Sequence, residues 1–78
     1  MTQNEIALAI ALAQQLINLM SLGDKKSVVE IYGSNWSLIT NSKEFGKKFK
    51  EAVTSGLLTN IKHNGIRSTG RCDEYERI

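Results

Sequence analysis

A chain of 78 residues with a formal net charge of +2 holds one domain, near the size where a single core is only just sufficient and small proteins often gain stability by association. Its 41% hydrophobic and 23% charged residues exclude a disordered polymer. The single cysteine, Cys72, excludes an internal disulfide and a paired-cysteine metal site, and reads as a bystander thiol in a protein of the reducing cytoplasm.

The chain opens with Thr2-x-x-Glu5, a pattern in which hydroxyl and carboxylate each satisfy an orphan backbone N–H at a helix start. A helix is expected from about Gln3 to Leu22, ended by Gly23. Ile6, Ala9, Ile10, Ala13, Leu16, Ile17 and Met20 form its apolar stripe, and Leu8, Leu12 and Leu19 widen that stripe to roughly 200°. One small core rarely needs so wide an arc. Either the helix sits centrally and is covered on two sides by its own chain, or Leu8, Leu12 and Leu19 form the seam of a homodimer. A membrane span is excluded because Gln14, Gln15 and Asn18 fall in the middle of the segment, where hydrocarbon penalises them.

Ser27 and Glu30 repeat the capping pattern before Val28, Val29, Ile31 and Tyr32, predicting a short second helix that ends at Gly33. The following linker is apolar, and its Trp36 suits a core anchor better than a base-stacking platform. Asn41 caps a third helix with Glu44 three positions later, and Gly56 closes it. At 100° per residue this helix places Phe45, Phe49, Ala52 and Val53 on one side and Lys43, Lys47 and Lys50 on the other. The mid-helix Gly46 costs about 1 kcal/mol against alanine, which suggests the close approach of another helix or of a backbone.

Beyond Gly56 the period changes to alternation around Leu58–His63, and a second strand is expected around Glu74–Ile78. Asn64-Gly65 is a two-residue turn signal. The preferred arrangement makes those residues a bulge and places the tip at residues 67–71, so that Arg67 and Arg71 stand at a polar, basic tip.

The predicted fold is therefore α+β, three helices followed by a C-terminal β-hairpin, winged helix-turn-helix-like. Residues 1–22 would be an amphipathic helix available for dimerisation, and residues 23–78 the helix-turn-helix-like core with its wing.

Charge follows the same division. Residues 43–71 carry seven basic against two acidic side chains, a local +5 that leaves −3 for the remainder. A basic helix followed by a basic hairpin tip is the order used to grip nucleic acid, so the candidate contacts to duplex DNA are Lys43, Lys47, Lys50, Thr54, Arg67 and Arg71. Lysine is a point charge and cannot make arginine's bidentate contact with guanine, so these contacts would serve mainly the phosphate backbone. The bland alternative for the stripe is a solvated helix face with pairs such as Lys47–Glu51.

From Gly23 onward the chain resembles a family of small bacterial proteins catalogued as domain of unknown function 1413. The resemblance rests on Val28–Tyr32, Gly33, Trp36, the run Phe45-Gly46-Lys47-Lys48-Phe49, and then Val53, Gly56, Ile61, Gly65 and Tyr75. It supports the domain boundary and supplies no catalytic motif.

No enzymatic motif is recognisable either. The lone His63 has no cysteine or carboxylate at a familiar spacing, and Tyr32 and Tyr75 suit packing. No cofactor and no metal are expected. The leading expectation is a small DNA-binding regulator, and the runner-up is a protein-interaction adaptor or inhibitor of phage or mobile-element origin that presents the long apolar helix.

Overall fold

A computed structural model describes residues 2–67 and 72–78. In chain order it contains α1 (Gln3–Asn18), β1 (Lys25–Lys26), α2 (Val28–Tyr32), a 3-10 segment (Gly33–Leu38), α3 (Ser42–Thr54), β2 (Ile61–Ile66) and β3 (Asp73–Arg77). The three strands form one antiparallel sheet in the order β1-β3-β2. The architecture is α+β with a winged-helix-like layout, as the sequence predicts, apart from a short strand before α2 that its patterning did not reveal.

Each helix starts where its cap stands. The Thr2 side chain accepts from the Glu5 N–H, Asn41 accepts from Glu44, and Ser27 with Glu30 forms the complete reciprocal box. Helix α1 stops at Asn18 rather than Leu22. Beyond it Met20 donates back to the Ile17 carbonyl, and the Asp24 carboxylate accepts the Ser21 N–H at 3.0 Å. Gly23, at φ 87°, then turns the chain into β1, where the Gly23 N–H bonds the Arg77 carbonyl at 2.8 Å and the Arg77 N–H bonds that of Asp24 at 2.9 Å. Two residues of strand give no readable alternation, which is why β1 escaped the pattern.

The core sits between α1, α3 and the inner face of the sheet. Ala13 and Ile17 of α1 meet Phe45 and Phe49 of α3, and Tyr32, Leu58, Ile61 and Tyr75 close the cluster. Phe49 stands edge-on to Tyr75, with ring centroids 4.9 Å apart, and Tyr32 stands edge-on to Phe45 at 5.5 Å, the geometry that ring quadrupoles favour. Tyr32 satisfies its buried hydroxyl by donating to the Ala9 carbonyl at 2.5 Å. Trp36 is a half-buried anchor, tilted against Tyr32 and Phe45. Gln14 explains one polar position on α1: its amide accepts the Thr59 N–H at 2.9 Å and donates to the Thr59 carbonyl at 3.1 Å, fastening α1 to the segment that leads into β2.

Two expectations need correction. A Cβ built at Gly46 would meet nothing within 4 Å, so no close approach explains that glycine. Among the described residues the ion pair on the outer face of α3 is Lys48–Glu51 at 3.9 Å, not Lys47–Glu51, because the three-residue spacing brings Lys48 nearer.

Candidate nucleic-acid interface

With Phe45, Phe49, Ala52 and Val53 buried, the helical period sends Lys43, Lys47 and Thr54 to the opposite, solvent-facing side of α3. Lys43 and Lys47 have no carboxylate partner among the described residues. Lys50, half-exposed, lies at the edge of the stripe, with its ammonium 3.4 Å from the Asp73 carboxylate. The Thr54 hydroxyl bonds back to the Lys50 and Glu51 carbonyls, so it is directed along the helix rather than outward.

A cleft of about 530 Å³ separates this face from the base of the wing. Lys43, Lys47 and Lys50 line one side, Ser27 and Val28 the floor at α2, and Cys72 and Asp73 the wing side.

The wing departs most from a reading by residue type alone. Its hairpin is closed by the Arg67 N–H donating to the Cys72 carbonyl at 2.8 Å. The β2–β3 register slips between His63 and Ile66, where Gly65 takes φ 89°, so Asn64-Gly65 is a bulge and not the turn. Arg67 is not directed outward. Its Nη1 lies 2.6 Å from Glu30 Oε1, its Nε donates to Glu74 Oε2 at 2.9 Å, and its Nη2 donates to the Lys25 carbonyl at 3.3 Å. That fork ties the wing base to α2, β1 and β3 together. Arg71, the other expected tip contact, lies outside the described residues.

His63 also acquires a partner that sequence spacing concealed. Antiparallel pairing brings its Nε2 within 2.8 Å of Asp73 Oδ1, although the two residues stand ten positions apart. Asp73 thus accepts from His63 and Lys50 at once, and these two interactions, His63 first, hold its carboxyl below the usual carboxylate range. Glu74 is lowered by the Asn64 amide and by Arg67, and Glu30 by the Ser27 backbone N–H and then by Arg67. Asp73, Glu74 and Glu30 are therefore ionised at neutral pH.

Of the expected dimer-seam residues, Leu8 and Leu19 are exposed, whereas Leu12 is half-buried and packs on the core. Among the described residues no cluster of three or more metal-ligating side chains occurs, and no helix is long and apolar enough to cross a membrane. No protein-family model, no curated protein and no solved structure matches the chain.

Proposed function

We propose that this protein is a duplex-DNA-binding regulator that docks α3 against the phosphate backbone. The carrying observation is that Lys43, Lys47 and Lys50 share the outer side of a helix whose other side is fully engaged in the core. Lys43 and Lys50 are seven residues apart, about 10.5 Å along the helix axis. A major groove is about 12 Å wide, so lysines at that separation reach phosphates on both of its rims. Arg67 acts as a strut that sets the wing's angle, a role different from the groove contact expected of it. The resemblance to domain of unknown function 1413 remains part of this reading, as does homodimerisation through the exposed leucines of α1.

Fluorescence anisotropy with a random-sequence duplex tests the DNA reading. The natural protein is expected to bind at low salt, and each lysine that displaces a condensed counterion adds about 0.9 to the slope of log K against log salt. Lys43→Ala/Lys47→Ala/Lys50→Ala should lose most of the affinity and most of that slope. No binding at low salt, or binding indifferent to the triple substitution, overturns the proposal. The absence of binding favours the second reading, an adaptor or inhibitor that binds protein and not DNA, which draws its support from the apolar flank of α1.

A further inference from the structure

The outer side of α1 carries a feature beyond its exposed leucines. A groove of about 510 Å³ runs along one flank of the helix, with Ile6, Ala7, Ile10 and Ala11 on one wall, Leu57 on the other and Lys48 at the rim. On the opposite flank Leu8 is 73% exposed, and Leu57 beside the groove is 69% exposed. Ala7 and Ala11 stand one turn apart between ridge and groove, and side chains this small let a second helix approach to the 8–10 Å of ordinary helix pairs.

We infer that this groove is the docking site for Leu8 of a second copy of the chain, which reciprocally receives the first copy's Leu8 about a two-fold axis running alongside α1. Ridge and groove occupy opposite flanks of one helix, at the same level along it. An axis parallel to the helix exchanges left and right, so each ridge meets the other groove and both contacts form together.

The chemistry favours a like copy over other occupants. From Ile6 to Leu22 the sequence contains no ionisable residue. A face that meets itself across a two-fold must avoid like charges, and interface centres are depleted in charge with uncharged amides tolerated at the edge, here Asn4, Gln15 and Asn18. Nucleic acid finds no row of cations here, and a partner recognised through its charge would meet only Lys48 at the groove's rim and Glu5 beside Leu8. The face runs the length of the helix, whose 16 residues span about 24 Å, the full short dimension of the molecule.

The inference rests on the homodimer part of the functional reading and is independent of the DNA part. Sedimentation equilibrium from a few to several hundred micromolar, on the natural protein and on Leu8→Glu, Leu57→Lys and the double variant, tests it. Both positions are exposed, so circular dichroism and the thermal midpoint should stay near those of the natural protein. Each single substitution should weaken the dimer more than about tenfold by burying an unpaired charge. The double variant should recover it, because the carboxylate introduced at position 8 of one copy then meets the ammonium introduced at position 57 of the other. A natural protein that is monomeric throughout overturns both the groove docking and the homodimer reading. A dimer weakened by Leu8→Glu but indifferent to Leu57→Lys, or a double variant no tighter than the singles, overturns the groove docking and leaves the homodimer reading standing.

Discussion

Arg67 Nη1 lies 2.6 Å from Glu30 Oε1, so the base of the wing is fastened to the first turn of α2 across 37 positions of chain. Glu30 is the same residue whose carboxylate completes the capping box with Ser27. One carboxylate therefore sets both where α2 starts and how the hairpin leans. Removing it should disturb a helix terminus and a wing together.

Arg67→Ala should loosen the wing without acting as the loss of a DNA contact. Amide exchange in β2 and the start of β3 should quicken, and duplex affinity should fall with little change in the salt slope, since the guanidinium is already committed to Glu30 and Glu74. A slope reduced by about 0.9 would instead mark Arg67 as a phosphate contact.

Asp73→Asn should raise affinity for duplex DNA. The substitution removes a negative charge beside the lysine face and frees Lys50, now 3.4 Å from that carboxylate, to meet phosphate. Anisotropy titrations should show tighter binding with a steeper salt dependence. Unchanged or weaker binding would place the DNA elsewhere than the cleft between α3 and the wing.

Acid should destabilise the fold through the carboxylates of Glu30, Asp73 and Glu74, which are all held below their usual range. A depressed carboxylate contributes stability while ionised and loses it as pH falls through its folded-state value. Stability attributable to these groups is thus complete at neutral pH and declines below the ordinary carboxylate range. Thermal midpoints recorded from neutral to strongly acid pH should fall less in Glu74→Gln than in the natural protein. The difference should be small, because the Glu74 pair still borders solvent, which screens its attraction to Arg67.

Phe49→Ala should cost about 3–5 kcal/mol, since it empties the position where Tyr75, Tyr32 and Phe45 meet. Domains of this size hold about 4–12 kcal/mol in total, at ~0.05–0.15 kcal/mol per residue. Urea denaturation should therefore find the variant's midpoint far below that of the natural protein. Tyr32→Phe, which loses only the bond to the Ala9 carbonyl, should cost nearer ~1 kcal/mol.

The helices were legible because their signals are local. Thr2, Ser27 and Asn41 each bond a backbone N–H three residues on, and the lysines of α3 oppose its phenylalanines by helical period alone. The bulge at Gly65 was legible for a similar reason, as only a residue tolerant of positive φ fits there. What escaped depends on pairings between distant positions. β1 exists because Lys25 and Lys26 lie opposite Glu76 and Tyr75, and nothing in a two-residue segment announces a partner at the far end of the chain. The partners of Arg67 and His63 escaped likewise, since residue type made one a tip contact and the other a lone ring until the strand register placed carboxylates beside both.

The order β1-β3-β2 makes β3 the only neighbour that either outer strand has among the described residues. Neither ladder can form without it, and the contact between positions 26 and 75 closes a loop spanning most of the chain. The helices and the β2–β3 hairpin, whose pairs lie at most 16 positions apart, can form from short-range contacts, whereas the β1–β3 ladder must wait for that long closure and is expected to form last. A blow to the middle strand would consequently be felt at Lys25 and at Lys62 alike, because among the described residues both outer strands pair with β3 alone.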